Sequence, residues 1–204
     1  MILAALILQA AAPQTAVDAE RAFAAAAQAR GQWTAFRDYA EADAVMFVPQ
    51  ATKAQEWLKG RKDPAKSVEW WPVESWVSCD GNLAVNTGGS RWPSGAVGYF
   101  TTVWKRQPDG SWKWIVDHGD GLQAERPRPA EPKTTRAACL NAFNNLDSFA
   151  DPKAAASDFR KSVDGSMMYD WQVMPDGARE LSVQVWDGRR FATVIDDKIA
   201  APAK

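Results

Sequence analysis

Histidine and cysteine are scarce in this sequence of 204 residues, which contains one histidine and two cysteines. A metal site of the usual histidine and cysteine ligands is therefore not expected. An excess of one charge is also missing, since 24 basic residues stand against 25 acidic ones. Without a basic surface, the chain is not predicted to bind nucleic acid or an anionic membrane. No glycine-rich phosphate loop or nucleophile elbow occurs either, so no cofactor is predicted.

The chain has no apolar run of the roughly 20 residues that a membrane-spanning helix needs. Its most apolar stretch is the start, where Met1 to Pro13 combines an apolar run with small residues. This pattern is typical of a secretory signal, so residues 1–12 are predicted to be removed on export to the periplasm or medium. No membrane association is expected after processing. The alternative is a ragged start to the first helix.

Tryptophan is abundant, with 11 copies in a chain that is 46% hydrophobic overall. Nine of them precede residue 115. Such large side chains must either fill the interior or line a cavity within it.

The first sixty residues are predicted to be mainly helical. Thr15 to Asp18 has the form of a capping box, and the helix it opens should end at Arg30-Gly31. Apolar spacing predicts a second helix at 32–39, and a short strand and a helical turn follow at 43–48 and 53–60.

The next sixty residues favour antiparallel strands separated by turn signals such as Pro108-Asp109-Gly110. The predicted strands are 68–79, 83–91, 96–106 and 111–118. Gly88-Gly89 falls within the second of them, where it indicates a bulge or a close backbone contact. The predicted fold is therefore α+β, with N-terminal helices packed on a curved antiparallel sheet.

The C-terminal part is predicted to be an appendage. Residues 123–136 contain a proline and charge cluster that is typical of a linker, and 139–149 favour a short helix. Strands at 166–173, 179–186 and 190–195 would form a small meander. The predicted organisation is a signal peptide at 1–12, a main domain at 15–122, a linker with a short helix at 123–163 and the meander at 164–197.

Two motifs resemble the nuclear transport factor 2-like superfamily. They are the strand Asp43 to Pro49 and the final hairpin Asp109 to His118. The resemblance implies a cone-shaped fold over 15–122. Its members include ketosteroid isomerase-like and polyketide cyclase-like enzymes, binding domains and oligomerisation modules, so the fold leaves the function open.

The sequence departs from the isomerases of this superfamily at one residue. Their general base is an aspartate just before a proline, and the matching residue here is Val48, before Pro49. Valine cannot transfer a proton, so the resemblance does not carry over this activity.

His118 is the candidate catalytic base, with Asp117 and Asp120 as carboxylate partners. The alternative is a solvated turn at the end of the last strand. Strand alternation places His118 on the more apolar face, which it would share with Trp112, Trp114 and Val116.

The candidate ligand-binding residues are aromatic. Tyr99 could donate a hydrogen bond to a ligand oxygen or belong to the core. Asp43 is either a cavity carboxylate or a local cap. The tryptophans that either line a cavity or fill the cone are Trp70, Trp76, Trp92, Trp104 and Trp114.

The two cysteines, Cys79 and Cys139, flank the predicted linker. In an oxidising compartment they are predicted to form a disulfide that ties the appendage to the main domain, and unlinked thiols are the alternative.

Three functions from different classes remain open. The favoured one is an exported, non-catalytic domain that binds a small apolar or aromatic ligand or a partner in a tryptophan-rich cone. The second is an acid–base enzyme acting on a small carbonyl or polyketide-like substrate through His118. The third is a homodimer formed through the open face of the sheet.

Overall fold

The computed structural model describes residues 15–140 and 150–202. The proposed signal peptide lies outside this part of the chain. Helix α1 spans Ala16–Arg30 and begins with the predicted capping box: the Thr15 hydroxyl accepts from the Asp18 backbone N–H while the Asp18 carboxylate accepts from that of Thr15. The predicted start and end of this helix are confirmed.

The remaining helical elements also follow the prediction closely. Helix α2 spans Gln32–Tyr39 and leads directly into strand β1, Ala40–Phe47. A short strand β2, Ala51–Lys53, pairs with β1, and helix α3 follows at Ala54–Leu58. No described helix is long and apolar enough to cross a membrane.

The main sheet has seven strands in the order β2-β1-β6-β5-β4-β3-β7. The four predicted strands are present as β3 (Glu69–Val77), β4 (Leu83–Arg91), β5 (Val97–Arg106) and β6 (Trp112–Leu122). The sheet is mixed rather than antiparallel, because β1 runs parallel to β6 and β7 parallel to β3. The helices cover its concave face and make a cone, so the α+β prediction is confirmed.

Part of the segment predicted as a proline-rich linker is attached to the main sheet. Lys133–Arg136 forms β7, a short polar edge strand on β3. The residues before it form a strap, 126–132, across the outer face: the Trp71 indole N–H donates to the Pro127 carbonyl at 2.9 Å, and the Arg128 guanidinium lies 3.9 Å from the Trp71 ring centroid. Proline limits the backbone donors of the strap but leaves its carbonyls free to accept these contacts.

The appendage is a four-stranded sheet rather than a three-stranded meander. Its order is β11-β10-β9-β8, with β8 at Ala156–Lys161, β9 at Met167–Val173, β10 at Arg179–Trp186 and β11 at Phe191–Ile199. Strand β8 was not predicted, because it is a mostly polar edge strand without clear alternation. Of the predicted helix at 139–149, residues 141–149 lie outside the described residues, and Cys139 and Leu140 are not helical.

The appendage covers the convex face of the main sheet. One buried cluster joins Val85, Val103 and Val116 of the main sheet to Tyr169 on β9 and Leu181 on β10. The homodimer hypothesis needs an open sheet face, and the protein's own C-terminal sheet occupies this one.

The predicted Cys79–Cys139 disulfide is present, with 5.1 Å between the Cα atoms. Beside it, the Ser166 hydroxyl accepts from the Cys79 backbone N–H at 2.8 Å. The hydrogen bond links the end of β3 to the start of β9 in the appendage, and the disulfide fixes the segment that leaves β7 toward the appendage at the same point.

Candidate functional site

A β-bulge in β6 decides which side chains face the cone. Trp114 pairs with Trp104 and Val116 with Val103, so Ile115 is an extra residue between the two pairs. An extra residue reverses the alternation beyond it. Asp117 therefore shares the concave face with Trp114, and the expectation that His118 does so is wrong.

The cone contains a cavity of about 310 Å³. Aromatic side chains from the helices and the sheet form much of its wall, among them Phe23, Trp33, Phe36, Trp70, Trp92 and Phe100. Its polar wall residues include Gln32, Ser90, Thr102 and Asp117. An apolar cavity of this size with a few polar groups is typical of a small-molecule site.

Three of the six predicted ligand-binding residues lie at the cavity wall, and three do not. Trp70, Trp92 and Tyr99 contribute to the cavity wall. Trp104 and Trp114 are fully buried in the core beneath it, and Trp76 packs against the cluster on the opposite face of the sheet. The tryptophans thus both line the cavity and fill the cone around it.

Asp117 is the carboxyl group that faces the cavity. The Thr102 hydroxyl donates to its Oδ2 at 3.3 Å, and no hydrogen bond to Oδ1 is present among the described residues. Burial raises the pKa of Asp117 to about 7, and the Thr102 hydrogen bond only partly opposes this shift. Near neutral pH this side chain can therefore either donate or accept a proton.

Glu20 is a second buried carboxyl group, which the sequence reasoning missed. The indole N–H groups of Trp104 and Trp70 donate to its two oxygens at 2.7 and 2.9 Å, and the Asn86 amide donates at 3.3 Å. Burial, with a smaller contribution from the nearby Asp117, raises the pKa of Glu20 to about 7 against these three donors. The sequence does contain a signal for its burial, because Glu20 falls on the apolar stripe of α1 with Ala16, Phe23 and Ala27.

His118 lies between the two sheets. Its Nδ1 is 3.5 Å from Oδ2 of Asp197 on β11, and its ring meets that of Phe47 edge-on at 5.0 Å. Neither ring nitrogen has a hydrogen-bond partner among the described residues. Atoms of Asp117, His118 and Asp120 all reach the cavity wall, but the His118 ring is directed away from the Asp117 carboxyl.

Two further predicted positions can be placed. Asp43 is exposed on β1, and its carboxylate lies 3.5 Å from the Arg160 guanidinium, outside the cavity. Val48, which the sequence resemblance matches to the base of the isomerases, is part of the cavity wall. The described residues include no group of three or more acidic, histidine or cysteine side chains placed to hold a metal ion.

Comparisons with known proteins give matches among solved structures only. No family model matches the chain, and no curated protein is significantly similar to it. Among solved structures, a candidate ketosteroid isomerase from Parabacteroides distasonis is 20% identical with a TM-score of 0.44, covering 56% of this chain and 94% of that one.

Two other solved structures match with similar sequence identity, TM-score and coverage. A candidate aromatic ring hydroxylase from Novosphingobium aromaticivorans is 16% identical with a TM-score of 0.38, and covers 53% of this chain and 87% of its own. A candidate ketosteroid isomerase from Shewanella frigidimarina is 18% identical with a TM-score of 0.36, and the shares are 52% and 95%. Each of the three matches therefore spans about half of this chain.

Proposed function

We propose that the protein binds a small apolar or aromatic ligand inside the cone. The observation that carries this proposal is the 310 Å³ cavity with its aromatic wall. A packed core would leave no such space, since protein interiors are close-packed with few voids larger than a water molecule. The Ser90 hydroxyl supports the proposal further, because it is buried at the cavity wall without a described partner.

The binding proposal is tested by titrating the protein with tert-butylbenzene, a neutral aromatic probe, and recording the change in tryptophan emission. Trp92 lies at the wall and is 37% exposed, so Trp92→Ala should weaken binding about ten-fold with little loss of stability. Trp186→Ala is the matched control, because Trp186 contacts Phe191 on the C-terminal sheet. Absence of saturable binding to the unmodified protein would refute the proposal.

A second candidate function is acid–base catalysis, with Asp117 rather than His118 as the reacting group. It is favoured by the raised pKa of Asp117, which burial brings to about 7 at a cavity wall. For any substrate found by screening, Asp117→Asn should then lower kcat at least about 100-fold. His118→Gln should retain most of the activity, and the opposite result would restore the histidine hypothesis.

We also propose that the protein works outside the cytoplasm. The Cys79–Cys139 disulfide supports this location, because such bonds persist mainly in oxidising compartments.

A further inference from the structure

We propose that the cavity selects a ligand that carries a positive charge, an ammonium group on a compact apolar or aromatic body, with the Asp117 carboxylate as its counter-ion. This inference rests on the proposed binding function and names the chemical class of its ligand.

The first support is the charge of the cavity wall. Asp117 supplies a carboxyl group, whereas no lysine or arginine is among the described wall residues. Arg126 and Arg179 approach from the convex side, where Arg126 donates to the Thr87 hydroxyl and Arg179 to the Gly119 carbonyl. Such a wall repels an anion and attracts a cation.

The second support is the arrangement of aromatic rings. Phe36 is surrounded by three other aromatic rings, and the centroid of its ring lies 4.8 Å from that of Phe23, 5.5 Å from that of Trp33 and 5.9 Å from that of Trp70. All four residues belong to the cavity wall. Aromatic faces attract cations, most strongly where water is excluded, and aromatic enclosures recognise quaternary ammonium groups in this way.

The third support is that the Asp117 carboxylate has no positively charged neighbour among the described residues on the concave side. Its concave-side neighbours are Met46 of β1, Thr102 of β5 and Glu20 of α1, and none of them carries a positive charge. His118, the next residue, faces Asp197 on the other side of the sheet. A partly buried carboxylate without a cation is less stable in its charged form than one in water, and a cationic ligand would supply the missing charge.

The test uses two probes of nearly the same shape, phenyltrimethylammonium and tert-butylbenzene, which differ in charge because nitrogen replaces the quaternary carbon. Binding of each probe to the protein is measured by tryptophan emission at about pH 6 and about pH 8, on either side of the raised pKa of Asp117. The cation should bind at least about ten-fold more tightly at the higher pH. Its affinity should rise about ten-fold between the two pH values as Asp117 ionises, while that of the neutral probe stays constant.

Asp117→Asn isolates the proposed counter-ion. In this variant the ratio of the affinities for phenyltrimethylammonium and tert-butylbenzene should fall at least about ten-fold and lose most of its dependence on pH. Asp43→Asn is the control, since it removes the same charge from the main sheet outside the cavity. A preference that Asp117→Asn leaves unchanged overturns the proposal.

A calorimetric measurement keeps the test decisive even if Asp117→Asn does not fold. At about pH 7, cation binding to the unmodified protein should release protons, which appear as a binding enthalpy that depends on the ionisation enthalpy of the buffer. Equal affinity for both probes, or no proton release, overturns the charge inference while tert-butylbenzene binding still supports the cavity. Failure of both probes to bind overturns the proposed function as well.

Discussion

At the scale of single residues, the concave side of the cone holds two carboxyl groups whose pKa values the fold raises to about 7. Glu20 is completely buried and accepts three hydrogen bonds, yet burial outweighs these donors and raises its pKa to about 7. Asp117 has only one long hydrogen bond and the same pKa of about 7. Glu20 is held by the core, whereas Asp117 has an oxygen available to a ligand.

The raised pKa of Glu20 predicts that the protein is less stable at alkaline pH. The folded state binds a proton that the unfolded state loses near pH 4.5, so the stabilisation is complete below pH 4.5 and is lost as pH rises through about 7. The shift corresponds to about 3 kcal/mol in the free energy of unfolding. Glu20→Gln should flatten this decline, measured by urea unfolding at about pH 5 and about pH 8, and the remaining slope is expected from Asp117.

The control for this experiment is Glu131→Gln, because the Glu131 side chain is 86% exposed. It should leave the pH dependence unchanged. An unaltered slope in Glu20→Gln would show that Glu20 is ionised in the folded protein at neutral pH.

At the scale of elements, the pairing of β3 with β4 depends on the absence of a side chain at two glycines. A Cβ atom on Gly88 would lie 1.9 Å from the Trp71 carbonyl oxygen, and one on Gly89 would lie 2.5 Å from the Trp71 ring. The interpretation of this pair as a bulge or a close backbone contact is thus confirmed. The Trp71 ring in turn supports the strap through Pro127 and Arg128.

Gly88→Ala is therefore expected to destabilise the protein by at least about 2 kcal/mol, because backbone atoms cannot move aside as a flexible side chain can. Gly121→Ala on β6 is the matched control, since a Cβ atom at that position would meet nothing within 4 Å. Thermal unfolding of both variants measures the difference. Equal melting temperatures would mean that β3 and β4 separate at this point without cost.

At the scale of the whole molecule, the buried cluster holds the two sheets together, and a disulfide fixes the chain segment that connects them. The bond joins cysteines 60 residues apart in sequence, one beside β3 and one after β7. On the chain-entropy model, closing a loop of this length removes unfolded-state entropy equivalent to about 4 kcal/mol, and measured values are commonly about 2–4 kcal/mol.

Cys139→Ser should accordingly lower the free energy of unfolding by about 2–4 kcal/mol and leave the appendage docked through its apolar cluster. Urea unfolding measures the loss, and reduction of the unmodified protein should reproduce it. Intact mass after alkylation of unreduced, denatured protein provides the control, since two added groups would show free thiols and contradict the bond.

Export makes a separate prediction for the whole protein. Material recovered from an osmotic-shock fraction should begin close to residue 13 when its N-terminus is sequenced. Recovery from the cytosol alone, with Met1 intact, would contradict export.

The sequence alone determined the features that depend on neighbouring residues. The capping box at Thr15 and the turns at Asp80-Gly81 and Pro108-Asp109-Gly110 are local signals, so they set the ends of α1 and of strands β3 to β6. Because the chain has only two cysteines, the sequence also determined which residues would form a disulfide in an oxidising environment.

Only the tertiary structure decided which side chains meet. One extra residue at Ile115 turned Asp117 into the cone and His118 out of it, and no local pattern marks that bulge. Strands β7 and β8 exist because β3 and β9 offer unpaired edges, which a polar sequence does not reveal by itself. The environment of Glu20 likewise depends on hydrogen bonds from Trp70 and Trp104, which are 50 and 84 positions away. No pattern of neighbouring residues predicts such long-range contacts.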